Sequence, residues 1–233
     1  GAHSGVGKTT ITMAMIAALR KRGLAVQPFK VGPDYLDTTY HTVVAGRRCR
    51  NLDGWMTDRG YVEAAFARAS ADADIAVVEG VMGMFDGLSP ASEEGSTAQM
   101  AKWLQAPLVL IVDAAGMARS AAAIVKGYST FDPSLPLSGV IFNSVGSPSH
   151  LALLREAVEA GAGVRVLGGL PAEKKIELPH RHLGLVTADM KILPDELLSS
   201  LAEMFLQWVD LEAIIGLARS APRSAASSLA DPS

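Results

Sequence analysis

The first ten residues contain residue types suited to binding phosphate. They read Gly-Ala-His-Ser-Gly-Val-Gly-Lys-Thr-Thr. Gly5 and Gly7 leave the backbone free of Cβ atoms where it must approach phosphate closely and where positive φ can be required. Backbone N–H groups and the start of the following helix would wrap a phosphate chain, with Lys8 at the β- and γ-phosphates and the Thr9 hydroxyl on Mg²⁺. The sequence therefore predicts an ATP site formed by Ser4, Gly5, Val6, Gly7, Lys8, Thr9 and Thr10.

This loop is a displaced form of the phosphate-binding motif G-x-x-x-x-G-K-[ST]. Ala2 stands five positions before Gly7, and the nearest glycine is Gly1. A glycine-rich turn that only caps a helix is the alternative. We favour phosphate binding because Lys-Thr-Thr leads directly into a segment with helical apolar spacing, which is the context that the motif requires.

A second group of charged residues follows two predicted strands. Lys30, Asp34 and Asp37 flank a Gly-Pro turn, and Glu79 ends a short apolar run. Open α/β sheets bind ligands at the carboxyl ends of their strands, and P-loop proteins place there the acid that holds Mg²⁺ or its water shell. Ordinary turn chemistry is the alternative for Asp34. For Glu79 the alternative is an acid that only happens to leave the sheet at this point.

Four further features are candidates for the site, and two of them also have a structural interpretation. Asn143, at the tip of a predicted strand, could hydrogen-bond an adenine edge or cap the next turn. Asp86 lies on a glycine-flanked loop that could close over substrate. The basic tract at residues 46–50 could steer a polycarboxylate or be solvated surface. Asp53 is a candidate for an additional metal or substrate contact.

The elements that must position these residues alternate between strand and helix. Strands are predicted at 24–31, 75–78, 107–112, 138–142, 164–167 and within 178–186, with a turn at 168–171. Helices are predicted at 9–22, 61–70, 96–104, 119–128, 147–161, 194–209 and 210–218, and residues 38–46 as a short helix or loop. This alternation predicts an α/β fold with a mostly parallel, doubly wound sheet. The nucleotide site would lie along one edge, built from Lys8, Thr9, Lys30, Glu79 and Asn143.

Composition limits the classes of function. The chain has 233 residues, 49% of them hydrophobic, which fits one large domain. A net charge of -3 offers no basic field for nucleic acid, and no run of about eighteen apolar residues predicts a membrane span. The single cysteine, Cys49, fits a reducing cytoplasm. His180 and His182 lack a third ligand for zinc.

The first and last residues of the sequence lead to two expectations about its domain organisation. A phosphate-binding loop normally follows a buried parallel strand, yet here it starts at residue 1, so we expect that a first strand is missing. Residues 218–233, rich in Ser, Ala and Pro, are expected to be a linker or disordered end. The remaining 1–217 would form a single domain.

Five separated motifs together resemble one family. They are residues 1–10, 29–37, 51–53, 79–87 and 181–186, and the likeness extends to about residue 217. This combination resembles the cobyrinate or hydrogenobyrinate a,c-diamide synthases, P-loop NTPases of the dethiobiotin-synthetase-like type. The resemblance implies an enzyme of cobalamin biosynthesis that amidates the a and c acetate side chains of a corrin with ATP, Mg²⁺ and ammonia from glutamine.

The resemblance also implies partners and residue roles. In that family a C-terminal glutaminase domain releases ammonia; this domain is expected to be absent here, because Cys49 does not match its nucleophile. Activation of the carboxylate as an acyl phosphate would use Lys8 and Lys30 to neutralise charge between two anions. Asp34 and Asp86 would orient substrate or ammonia. The implied metal ligands, direct or through water, are Thr9, Asp37 and Glu79.

Two other classes share the loop. A dethiobiotin-synthetase-like ligase would share Lys30 but lacks the Gly-Pro-Asp-Tyr turn and the Phe-Asp-Gly loop. A partitioning ATPase, a dimeric switch, would carry a signature lysine where this chain has His3. The sequence leaves open a homodimer, and it leaves open whether the tetrapyrrole contains cobalt, contains nickel or lacks metal.

Overall fold

The computed structural model of the protein describes residues 1–172 and 193–222. Strands and helices alternate through this part of the chain, as the sequence predicts. The predicted strand within 178–186, the motif at 181–186, and His180 and His182 lie outside the described residues. The elements, in chain order, are α1 (Lys8–Lys21), β1 (Val26–Val31), α2 (Leu36–Ala45), β2 (Arg50–Leu52), α3 (Arg59–Ser70), β3 (Ile75–Glu79), α4 (Thr97–Leu104), β4 (Leu108–Asp113), α5 (Ser120–Phe131), β5 (Leu137–Val145), α6 (Pro148–Ala162), β6 (Val166–Pro171), α7 (Asp195–Trp208) and α8 (Leu211–Ser220).

The strands form two parallel sheets in the described residues. Their orders are β2-β1-β3 and β4-β5-β6. Residues 1 and 2 bond to β4 of the second sheet and to the loop that follows β3 of the first. The Ala2 N–H donates to the Ile111 carbonyl at 2.8 Å, and the Gly1 carbonyl accepts from the Met84 N–H at 2.8 Å. The predicted parallel α/β architecture is therefore confirmed, with the phosphate-binding loop starting between the two sheets.

Helices cover both faces of the sheets. On one face, α1, α2, α7 and α8 share an apolar cluster with strand residues Val26, Ile75, Ile111, Ile141 and Leu167. On the other, α5 and α6 pack on β4 and β5, while α3 and α4 pack on β1 and β2. Because one cluster includes strands of both sheets, the layer around α1 joins the two halves. The two halves thus form the doubly wound arrangement.

The glycine-rich segment 168–171 is not the turn that the sequence predicts, because it lies inside β6. Gly168 has φ 148°, and a Cβ there would lie 2.3 Å from the Trp208 carbonyl oxygen. Glycine at this position allows the end of α7 to approach the strand backbone closely. Residues 38–46, predicted as a short helix or loop, are mostly the helix α2, and the short strand β2 was not predicted.

We expect Gly168→Ala to lower the free energy of unfolding by at least about 1–3 kcal/mol, because the added methyl group meets rigid backbone. Gly127→Ala is the matched control: Gly127 lies in α5, and a Cβ there meets nothing within 4 Å. This control should be neutral or should stabilise by up to about 1 kcal/mol. Urea denaturation followed by circular dichroism measures both, and equal effects would contradict the close approach seen at Gly168.

Candidate functional site

The loop before α1 has the backbone geometry of a phosphate-binding site. Gly5 and Gly7 have φ of 85° and 91°, in the left-handed region, and Gly7 is the N-cap of α1. Val6 is fully buried, so its side chain anchors the loop in the core. Ser4 is exposed, and Thr10 lies half-buried in the first turn of the helix. The loop therefore leaves its backbone and the helix N-terminus available at the surface, as anion binding requires.

Asn143 contacts this loop from the end of β5. Its Nδ2 donates to the Val6 carbonyl at 3.0 Å, and a Cβ on Gly7 would lie 2.3 Å from the same nitrogen. Glycine is thus required at position 7 by both φ and space. Lys8 Nζ donates to the His3 carbonyl at 3.2 Å, across the loop. Contact between Asn143 and adenine stays a prediction.

Lys30, Asp37 and Glu79 form a buried cluster, here called the acid–lysine cluster, at the carboxyl end of β1 and β3. The parallel register places Lys30 directly opposite Glu79. Lys30 Nζ lies 2.7 Å from Glu79 Oε1 and 2.7 Å from Asp37 Oδ2. All three side chains are at most 3% exposed. The two strand ends and the start of α2 therefore bring Glu79 next to Lys30 and Asp37, from which it is distant in the sequence.

Thr9 connects the phosphate-binding loop to the acid–lysine cluster. Its Oγ1 lies 3.0 Å from Glu79 Oε1 and 3.2 Å from Asp37 Oδ2, and it has one proton to donate between them. The three residues predicted to hold Mg²⁺ therefore converge at one point, next to Lys8 in the chain. Lys30 Nζ donates to the same two oxygen atoms, at 2.7 Å each.

The charges in the cluster stabilise one another. Burial opposes the charged form of Lys30, but the nearby Glu79 and Asp37 carboxylates outweigh it and raise the pKa of Lys30. Burial likewise opposes ionisation of Glu79, yet the hydrogen bond and electrostatic influence of His41, together with Lys30, lower the pKa of Glu79. We therefore expect both groups to be ionised near neutral pH.

His41 is a site residue that the sequence analysis missed. It is completely buried, and its Nε2 lies 2.5 Å from Glu79 Oε2. His41 follows Asp37 by four residues on α2, which places both side chains on the same helix face. That spacing could have identified His41, had residues 38–46 been predicted as a helix.

Asp34 takes part in the turn before α2. Its Oδ1 accepts from the Asp37 N–H at 3.0 Å, while its Oδ2 lies 3.7 Å from Lys30 Nζ. Asn51 Nδ2 fixes the same turn by donating to the carbonyls of Gly32 and Asp34 at 2.7 and 2.9 Å. Asp34 therefore has the structural role weighed as the alternative, and it also lies at the edge of the acid–lysine cluster.

A cleft of about 400 Å³ lies beside this turn. Its walls include Asp34, Tyr35, Asp53, Met56 and Tyr61. Tyr35, Met56 and Tyr61 are each more than 60% exposed. The acid–lysine cluster thus adjoins an open surface lined by large apolar side chains and two carboxylates.

The remaining candidates are held by local contacts. Asp86 is exposed, and its Oδ2 accepts from the Gly83 N–H at 2.9 Å. Asp53 Oδ1 accepts from the backbone N–H groups of Trp55 and Met56. Arg47, in the basic tract, pairs with Asp72. Burial raises the pKa of Cys49 to about 12, which makes its thiol unreactive.

The oxygen atoms of Thr9, Asp37 and Glu79 suit Mg²⁺, a hard cation that keeps several waters and binds few protein ligands together with phosphate. No group of three or more His, Cys, Asp or Glu side chains forms a ready metal cage in residues 1–172 and 193–222. The chemistry of these three oxygen atoms fits Mg²⁺ held jointly with a nucleotide. In the same part of the chain, every helix is too short or too polar to span a bilayer.

The start of α1 has a phosphate-binding backbone, and a hydroxyl and buried acids lie at the adjoining strand ends. This combination defines a P-loop nucleotide-binding protein. Residues 1–186 match the family described as the CobQ/CobB/MinD/ParA nucleotide binding domain. The chain belongs to that family. The MinC:MinD cell division protein complex of Aquifex aeolicus has a similar fold, with a TM-score of 0.52 at 16% identity over 94% of this chain and 91% of that one.

Curated relatives confirm the resemblance drawn from the motifs. The chain is 52% identical over 222 residues to the cobyrinate a,c-diamide synthase of Syntrophotalea carbinolica, covering 95% of this chain and 48% of that protein. It is 48% identical over 218 residues to the hydrogenobyrinate a,c-diamide synthase of Streptomyces coelicolor, covering 93% and 45%. The chain therefore spans about half the length of the curated relatives it matches.

Proposed function

We propose that this chain is the ATP-dependent synthetase part of a cobyrinate or hydrogenobyrinate a,c-diamide synthase, a carbon–nitrogen ligase, with residues 1–217 as its synthetase domain. The observation that carries the proposal is the bonding of Thr9, from the phosphate-binding loop, to the acid–lysine cluster. Sequence identity of 52% to a named synthase supports this function over a dethiobiotin-synthetase-like ligase or a partitioning ATPase.

Each residue of the site has its own proposed role in activating a carboxylate. ATP with Mg²⁺, when bound, supplies a phosphoryl group that makes the carboxylate oxygen a leaving group. The loop around Gly5 and Gly7 binds phosphate, and Thr9 with Asp37 and Glu79 holds the metal directly or through water. Lys8 reduces the electrostatic repulsion between the nucleotide phosphates and the substrate carboxylate. Lys30 does so from within the acid–lysine cluster. The reaction proposed here passes through an acyl phosphate that ammonia then attacks.

Asp34 and Asp86 are proposed to act on the substrate side. Asp34 lies both in the wall of the cleft and 3.7 Å from Lys30 Nζ. It can therefore orient a substrate in the cleft relative to the charged cluster. Asp86 is exposed on the loop after β3 and is available to accept a proton from ammonia.

We further propose that, in the complete enzyme, the ammonia comes from glutamine through a glutaminase domain. The 233-residue chain should then form amide with ammonium salts and not with glutamine, in the presence of ATP and Mg²⁺. Mass spectrometry of cobyrinate, hydrogenobyrinate and a nickel tetrapyrrole acid, each incubated separately, reads conversion of carboxyl to carboxamide and identifies the substrate. Equal use of glutamine would contradict the proposed ammonia source. No amide from any of the three acids would contradict the proposed function itself.

A further inference from the structure

The two oxygen atoms of the Glu79 carboxylate face different partners. Oε1 lies near Lys30 Nζ and Thr9 Oγ1, at 2.7 and 3.0 Å. Oε2 lies 2.5 Å from His41 Nε2. Because an ionised carboxylate only accepts hydrogen bonds, His41 Nε2 is the donor. One oxygen atom is therefore directed toward the nucleotide side, and the other is held by α2.

Core packing alone does not account for an imidazole at position 41. Its Nδ1 is buried and has no hydrogen-bond partner among the described residues. Burying an unsatisfied polar atom costs free energy, whereas an apolar side chain of similar size would carry no such cost. The neighbouring buried residues Val44 and Ala45 on the same helix are apolar. The bond to Glu79 is thus the contact that distinguishes His41 from a core residue.

A second contact matters because a glutamate carboxylate turns easily. The terminal torsion of glutamate is broad and roughly two-fold, so a carboxylate held through Oε1 alone can rotate. The contact at Oε2 fixes the plane of the carboxylate. Since Asp37 lies one turn earlier on α2, this helix sets the position of both acids that contact Thr9.

We propose that His41 is a positioning residue, which orients the Glu79 carboxylate for the Mg²⁺ that accompanies the nucleotide. This inference rests on the proposed function, because it assumes Mg²⁺ at Thr9, Asp37 and Glu79. Partners that hydrogen-bond metal ligands typically change metal affinity 10–100-fold when they are removed. His41 should therefore affect the metal-dependent part of nucleotide binding and leave the rest unchanged.

The test is calorimetric titration of the 233-residue chain with ADP, once with Mg²⁺ and once with EDTA. His41→Leu removes the donor, and we expect the gain in affinity that Mg²⁺ provides to fall about 10–100-fold. His41→Gln can place an amide N–H near the position of Nε2 and should retain most of that gain. Binding in EDTA should be the same for all variants. His41→Asn, whose amide is too short to reach Glu79, replaces His41→Leu if the latter does not fold.

Val44→Ala is the control for a loss of packing in α2. Val44 is 1% exposed and lies in the core one helical turn from His41, so this change lowers stability without touching Glu79. It should leave the Mg²⁺-dependent gain intact. An unchanged gain in His41→Leu or in His41→Asn overturns the inference, as does an equal loss in Val44→Ala. A wild-type chain that binds ADP without any gain from Mg²⁺ overturns the proposed function and the inference with it.

Discussion

Lys30→Met is expected to lower the free energy of unfolding by about 3–5 kcal/mol near neutral pH, because it leaves two carboxylates buried without their cation. Lys30 Nζ is 2.7 Å from both Glu79 Oε1 and Asp37 Oδ2. Methionine fills a similar volume, so the loss reports charge more than packing. Chemical denaturation of the two proteins, followed by circular dichroism, measures the difference.

The size of this effect should depend on pH in a defined direction. The lowered pKa of Glu79 gives stability that is present above its ordinary value of 4.5 and is lost as pH falls through the folded-state pKa. In Lys30→Met that contribution is already reduced, so the variant loses less on acidification. The difference between wild type and variant should therefore shrink below about pH 4.5, as pH falls through the folded-state pKa of Glu79. Toward alkaline pH, the raised pKa of Lys30 keeps the wild-type contribution until pH passes that pKa.

Lys21→Met provides the matched control for Lys30→Met. Lys21 also forms an ion pair at 2.8 Å, with Glu203, but the two side chains are 46% and 68% exposed. Exposed pairs contribute about 0–1 kcal/mol, so this substitution should change stability little at any pH. A similar small loss in Lys30→Met, or a difference that stays constant on acidification, would contradict the ionised state of the acid–lysine cluster.

The sequence predicted that the charged residues at the strand ends would lie close together, and the structure brings Lys30 and Glu79 into contact. Buried parallel strands are recognisable as short apolar runs, and their carboxyl ends meet at one edge, which is why Lys30 and Glu79 could be grouped. The phosphate-binding loop was recognisable because Gly5 and Gly7 take a backbone conformation that glycine favours. In both cases a local feature of the sequence fixes the position of the side chain.

The parts that the sequence did not predict depend on contacts between distant segments. Gly168 lies in a stretch that resembles a turn, but the requirement for glycine comes from a distant segment: a Cβ there would lie 2.3 Å from the Trp208 carbonyl oxygen. Strand β2 has two exposed residues in three, so it lacks an apolar run. His41 required α2 to be recognised as a helix and then required knowledge that Glu79, from another strand, packs against it.

Glu79→Gln is expected to reduce ATP-dependent amide formation by at least about 100-fold, because it replaces a proposed Mg²⁺ ligand by a neutral amide. The fold should persist, since glutamine has nearly the same shape and Lys30 keeps its contact with Asp37 at 2.7 Å. Amide formation from the tetrapyrrole acid, ATP and ammonium, measured by mass spectrometry, gives the activity. Denaturation of the same samples gives the stability.

Glu63→Gln separates the role of Glu79 from a general loss of negative charge. Glu63 pairs with Arg59 on α3 at 2.7 Å, and the two side chains are 42% and 58% exposed. Removing that charge should leave amide formation unchanged. The expected pattern is therefore an inactive, folded Glu79→Gln beside a fully active Glu63→Gln. Unchanged turnover in Glu79→Gln would remove this residue from the metal site. Because Thr9 and Lys30 share Oε1 of Glu79, that result would also require another explanation for the burial of three ionisable groups beside a phosphate-binding loop.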